Sequence, residues 1–296
     1  MLFTRNNFIG GFIMDNWFQQ RSKDIVQRVR DKRPLVHHIT NYVTVNDCAN
    51  IVLAIGAAPV MADDIGEVAD IVGISSALVL NIGTLNQRTI ASMLAAGKAA
   101  NQTGIPVVLD PVGAGATLLR TETAARIMDE VKLAVIRGNI SEIKAVSGAG
   151  GKTRGVDASE GDAAGENDIQ AVNRLAINFA KRTGSVVAIT GVIDVVSDGA
   201  RSCFIKNGHA VMADITGTGC MCTALTGAFV GAEQDYTAAT VAAVMAMGIA
   251  GEKAYRSIQA AGLGNGSYRT FMIDEISRMN DETLTNEGKI SFESTL

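Results

Sequence analysis

Short unbroken apolar runs alternate along the chain with longer segments whose apolar positions recur every three or four residues. LVHHI (35–39), AAPVM (57–61), ALVLN (77–81), PVVLD (106–110), LAVIR (133–137) and SVVAIT (185–190) are the runs. Continuous hydrophobicity bounded by Gly, Pro or Asp is the pattern of strands buried on both faces. TVNDCANIVLAIG, QRTIASMLAAGKAA, TETAARIMDEV and NDIQAVNRLAINFAKRT lie between them and have helical length. NWFQQRSKDIVQRVR, ahead of the first run, reads as one amphipathic helix. This order predicts an α/β fold with a mostly parallel central sheet and helices on both faces. After SVVAIT, the runs VIDVVSD, RSCFIKNG and HAVMADI predict three short strands and hence a small antiparallel edge, with helices from there to the end. Neither a Pro- or Ser-rich linker nor a repeat interrupts the pattern, so residues 15–296 read as a single domain. Residues 1–14 read as a disordered leader or an upstream-start extension ahead of Met14, and the polar, glycine-dense stretch 148–167 as a mobile loop with the character of a lid.

Composition narrows the function classes. With 296 residues and 47% hydrophobic content the chain can bury a large core. A net charge of -4 with mixed signs, and only 5% aromatic residues, argue against a nucleic-acid partner. Cys48, Cys203, Cys220 and Cys222 contain no C-x-x-C pair, and His37, His38 and His209 are not set with them as zinc ligands would be. Free thiols in a reducing cytoplasm are expected. No apolar run approaches the roughly 20 residues that span a bilayer. The nearest, 215–251, is interrupted by Glu233 and Asp235. The opening MLFTRNNFIGGFIM lacks the small-residue cleavage site of a secretory signal.

Candidate chemistry belongs in the loops beyond the carboxyl ends of parallel strands, where open sheets bind ligands. Residues 214–229, DITGTGCMCTALTGAF, join a glycine turn to a helix and set Cys220 where the two meet. Gly217, Thr218 and Gly219 can turn successive N–H groups into a nest for phosphate at a helix start. PVVLD ends on Asp110, and RGNISE places Asn139 and Glu142 in the first turn of the following helix. Hard oxygens at two strand ends beside a phosphate site suit Mg²⁺ held partly through water. From the residues alone the plainer readings stay open: the glycines only make a turn, Asp110 caps one, and Glu142 completes a helix start. Two imitations fail. VSGAGGKT (146–153) has Val146 where a P-loop needs glycine, and GAGATL (113–118) has Leu118 where a dinucleotide fingerprint needs its third glycine.

Taken in order, HITNYVTVN (38–46), GAAPVMAD (56–63), ALVLNIGTL (77–85), LDPVGAGAT (109–117), RGNISEI (137–143), AITG (188–191) and TGTGC (216–220) resemble the hydroxyethylthiazole kinases, a ribokinase-like family. The resemblance covers about residues 33 to 275. It implies a ribokinase-like three-layer α/β/α fold and a homotrimer with sites near subunit interfaces. It also implies ATP- and Mg²⁺-dependent phosphorylation of the primary alcohol of 4-methyl-5-(2-hydroxyethyl)thiazole, in thiamine biosynthesis or salvage. Residue by residue, it makes Cys220 the group beside the attacking hydroxyl, Val45 and Gly217 substrate contacts, and Arg120 and Thr190 ATP contacts, with Asp110, Asn139 and Glu142 as the metal and phosphate group. Val45 departs from the methionine common at that contact, and Thr218 stands where alanine is common. Competing readings keep the fold and change the chemistry, to another small-alcohol kinase or an ATP-dependent repair dehydratase, or lose catalysis and leave a thiazole or nucleotide sensor. Cys220 and the HITNYVTVN segment favour the thiazole kinase.

Overall fold

A computed structural model describes residues 16–148 and 166–294, so the first 15 residues and most of the glycine-dense stretch lie outside it. Nine strands among the described residues run β1 (Leu35–Ile39), β2 (Ala58–Met61), β3 (Ala77–Asn81), β4 (Val107–Asp110), β5 (Val135–Asn139), β6 (Val186–Thr190), β7 (Asp194–Ser197), β8 (Arg201–Ile205) and β9 (Ile290–Ser294). They form one sheet in the order β2-β1-β3-β4-β5-β6-β7-β8-β9. The first six are mutually parallel, and β7, β8 and β9 extend the sheet as an antiparallel edge.

The strands β1, β3, β4, β5 and β6 feed both faces. Val36, Val79 and Val108 point into one apolar cluster, shared with α2 (Ile25–Lys32), α3 (Val45–Ile55), α9 (Thr218–Ala232), α10 (Tyr236–Ala261) and α11 (Asn265–Ser277). Leu78, Leu80 and Leu109 point into the other, shared with α4 (Val68–Ile74), α5 (Gln87–Thr103), α6 (Leu118–Glu130), α7 (Ile140–Val146) and α8 (Glu166–Thr183). The layers are therefore α/β/α, as the unbroken apolar runs predict. No helix among the described residues is long and apolar enough to cross a membrane.

The pattern reading departs from the structure in three places. NWFQQRSKDIVQRVR forms two helices, α1 (Asn16–Ser22) and α2, because Asp24 adopts a left-handed conformation at φ 58°. The new helix start is then capped from a distance, since the Asp281 carboxylate accepts the Val26 and Gln27 N–H groups at 2.8 and 3.1 Å. HAVMADI is not a strand. His209 accepts the Val211 N–H and starts a 3-10 turn over Ala210–Asp214, while the free edge of β8 is taken by β9 from the end of the chain. The seven-residue α4 is an element that the apolar pattern did not predict.

Two features of this frame position the site. β1 connects through α3 on one face and its neighbour β3 through α5 on the other, so their carboxyl ends flank the crevice of an open α/β sheet, its switch point. α9 crosses β1, β3 and β4 and brings its first residues to that edge. It can lie so close because Gly227 has no side chain: a Cβ there would sit 2.5 Å from Val79 Cγ2 and 3.0 Å from Val36 Cγ1.

Candidate active site

Gly217 caps α9 in a left-handed conformation, φ 93°, and no side chain completes the cap. The N–H groups of Thr218, Gly219 and Cys220 therefore lack an intrahelical acceptor and open beyond the helix end. That is an anion site in waiting. Two separate constraints select its glycines. Gly217 needs both its positive φ and the space, since a Cβ would meet Thr44 Cγ2 at 2.5 Å. Gly219 is helical, and its reason is room alone: a Cβ would lie 2.7 Å from Arg137 Nη1.

Cys220 is partly exposed, whereas Cys48, Cys203 and Cys222 are buried, and none of the four is joined in a disulfide. Its Sγ accepts N–H groups from Asn41 Nδ2 and Asn81 Nδ2, each at 3.3 Å. Burial pushes the thiol above its ordinary range, and the Asp110 charge adds to that, while Thr44, Asn81 and Asn41 pull it back. Asp110, fully buried at the end of β4, uses Oδ2 to accept from Asn81 Nδ2 and Thr223 Oγ1, both at 2.8 Å. Its Oδ1 is buried with no protein partner. A buried acceptor left open is costly, so such an atom points to a missing donor, water or cation.

Asn139 and Glu142 form a reciprocal capping box at the start of α7. Glu142 Oε2 accepts the Asn139 N–H at 2.9 Å, and Oε1 accepts the Gly113 N–H at 2.8 Å, which ties the loop after β4 to the end of β5. Burial and the nearby Asp110 raise Glu142 to about 7, and burial raises Asp110 as well. Arg137 offsets both. It is nine-tenths buried, and although burial opposes its charge, Cys222, Asp110 and Glu142 around it hold the guanidinium protonated. Its Nη2 donates to Thr190 Oγ1 at 2.5 Å.

The sequence candidates thus divide. Cys220, Asp110 and the 217–219 turn meet at one edge, and Thr190 joins them through Arg137. Val45 opens α3 as a half-buried residue directly after Thr44, which touches the Gly217 turn. Arg120 lies across the loops of the same edge: its Nη2 donates to the Gly83 carbonyl at 2.7 Å and its Nη1 to that of Val112 at 3.3 Å, clamping the loops after β3 and β4. Residues of the site that the sequence reading left without a role are Asn41, Asn81, Thr44, Thr223 and Arg137. Four of them lie in or just beyond the apolar runs at carboxyl ends of strands, the position that was itself the available signal. A shallow apolar cleft beside Thr190, lined by Ile140, Val172, Ile189 and Val192, opens on the face away from α9.

Residues 26–282 match the model of the hydroxyethylthiazole kinase family. The chain belongs to that family. Among hydroxyethylthiazole kinases, the protein of that name from Ruminiclostridium cellulolyticum is 55% identical over 268 residues, covering 90% of this chain and 96% of the relative. A solved hydroxyethylthiazole kinase structure from Pyrococcus horikoshii superposes with a TM-score of 0.83 at 38% identity, over 93% of this chain and 100% of that one. The pyridoxal kinase of Staphylococcus aureus, at 15% identity and TM-score 0.53 over 74% of this chain and 88% of its own, shares the ribokinase-like fold alone.

Proposed function

We propose that the protein transfers the γ-phosphoryl group of ATP to the primary alcohol of 4-methyl-5-(2-hydroxyethyl)thiazole, giving the phosphoethylthiazole and ADP. The observation that carries this reading is the meeting of the uncapped α9 amides, the Cys220 sulfur and Asp110 at the crevice of a hydroxyethylthiazole kinase family fold. Phosphoryl transfer asks a protein chiefly to position the reactants and offset charge on the γ-phosphate. The Thr218, Gly219 and Cys220 amides do this from one side, and Thr190, backed by Arg137, meets the nucleotide phosphates from the other. Arg120, which clamps the loops after β3 and β4, is a contact to ATP in this reading. Gly217 and Val45 border the thiazole. The alcohol oxygen forms the new P–O bond as the bond to the bridging oxygen breaks and ADP departs. The alcohol proton passes to the Cys220 sulfur as thiolate, the minor form because burial and Asp110 hold the thiol above its ordinary range, and a loose transition state demands little of that base.

The open Oδ1 of Asp110 fits a divalent cation. Glu142 and Asn139 are already engaged with each other and with Gly113, and reach such an ion through water. Among the described residues no three His, Cys, Asp or Glu side chains converge as a full ligand set. A Mg²⁺ ion held there by Asp110 would supply neutralisation of phosphate charge, with water and phosphate oxygens as its further ligands. Four cysteines outside any disulfide support a reducing cytoplasm as the site of action. The homotrimer belongs to the same reading, supported by the open edge of β2 and the exposed Tyr42, Val43 and Ile65 beside it.

A coupled ADP-release assay tests the proposal. ADP should appear with the thiazole alcohol and much less with hydroxymethylpyrimidine, stop with EDTA and return with Mg²⁺. No ADP with either alcohol would overturn it in favour of a sensor.

A further inference from the structure

We infer that Asn41 and Asn81 are positioning residues for Cys220: two interlocked carboxamides that fix its sulfur as a hydrogen-bond acceptor and tie it to Asp110. The inference rests on the reading of Cys220 as the group that receives the alcohol proton.

Every polar atom of the two side chains is committed, and the commitments fix which end is which. Asn81 Oδ1 accepts from the Gly83 N–H at 2.9 Å and from Asn41 Nδ2 at 3.1 Å, so that end is the oxygen. Its Nδ2 then donates both hydrogens, one to Asp110 Oδ2 at 2.8 Å and one to Cys220 Sγ at 3.3 Å. Asn41 Oδ1 accepts from the Thr44 N–H and hydroxyl, each at 3.0 Å. Its Nδ2 is left to donate to Asn81 Oδ1 and to Cys220 Sγ at 3.3 Å. Turning either amide over would set oxygen against oxygen and an N–H against an N–H, with both side chains about 4% exposed or less.

The sulfur thus faces two donors and can give a proton to neither. Its S–H, or a remaining lone pair of its thiolate, is left for Thr44 and for an alcohol arriving through the crevice, to which Cys220 is partly exposed. Asn41 follows β1 and Asn81 ends β3, the two strands that flank the switch point, so the pairing exists only because those strands are neighbours. The same amide that holds the sulfur also holds Asp110 Oδ2 and leaves its Oδ1 free. One side chain thereby sets the spacing between the proton acceptor and the carboxylate that faces the phosphates.

Asn41→Asp tests this with little change of shape. It keeps an oxygen for Thr44 and replaces both N–H donors with an acceptor. Because the other three cysteines are buried, single addition of iodoacetamide, followed by intact mass without substrate, reports on Cys220. The variant should alkylate at least about tenfold more slowly than the parent at one fixed pH. In turnover its kcat should fall at least about tenfold while KM for ATP stays within about twofold, a split that general loosening of the fold would not produce. Should Asn41→Asp lose its circular dichroism signature, Asn81→Ser is read by the same two assays. A folded variant that alkylates at the parental rate overturns the clamp. Failure of the parent to release ADP with the thiazole alcohol overturns the proposed function instead, and the alkylation rates then decide the clamp on their own.

Discussion

Cys220 differs from its three sister cysteines in its surroundings more than in its chemistry. It stands at a helix start, half open to the crevice and held by two amide donors, where the others are packed in apolar clusters. If the sulfur accepts the alcohol proton, Cys220→Ala should lower kcat by about tenfold or more, whereas Cys220→Asp, a weaker base that ionises far more readily than the raised thiol, should keep or raise it. Initial-rate kinetics of the three proteins checks this, and an alanine variant equal to the parent in kcat/KM would remove Cys220 from the mechanism. The turn that carries it was visible in the sequence as a G-x-G at a helix start, although the residues alone left open that it only makes a turn. Asn41, Asn81 and Arg137 were not. An asparagine after a strand reads as a turn residue, and Arg137 reads as the last residue of an apolar run. Their work depends on which strands lie side by side and on what a glycine distant in sequence leaves room for.

The helices and parallel strands were legible because burial on both faces leaves each strand as an unbroken apolar run. The antiparallel edge was legible only in part. HAVMADI has the composition of a strand, but its fate was decided by the local cap at His209 and by the remote β9, neither of which an apolar pattern can report. The α9 helix shows the same limit: its composition announces a buried helix, while the need for Gly227 appears only once Val36 and Val79 are beneath it. Valines on a strand are stiff and cannot swing aside. Gly227→Ala should therefore cost about 1–3 kcal/mol through overpacking, despite alanine's better helix propensity. Urea denaturation measures it, and a stability gain would show that the helix has slack over the sheet.

Buried acids set the behaviour of the molecule with pH. Asp194, at the start of β7, accepts the Gly191 N–H at 2.9 Å beside Thr190, and burial pushes it to about 7, as it does Glu142. Unfolded carboxyls titrate near about 4. Between about pH 4 and about pH 7 the folded chain holds protons that the unfolded chain has lost, so stability falls as pH rises through that window. Thermal unfolding of the ligand-free protein should show Tm decreasing from about pH 5 to about pH 8, and Asp194→Asn should flatten the decline. A slope untouched by that substitution would mean Asp194 is charged throughout.

The seating of α9 also decides what can move. A helix whose backbone rests on two valines of the central sheet has no clearance in which to slide, so its amide end is a stationary receptor. In the proposed reaction the triphosphate travels to it, and any closing around the reactants falls to the peptide segments that link strand ends to helices, among them residues 40–44, which carry the Asn41 amide that donates to the sulfur.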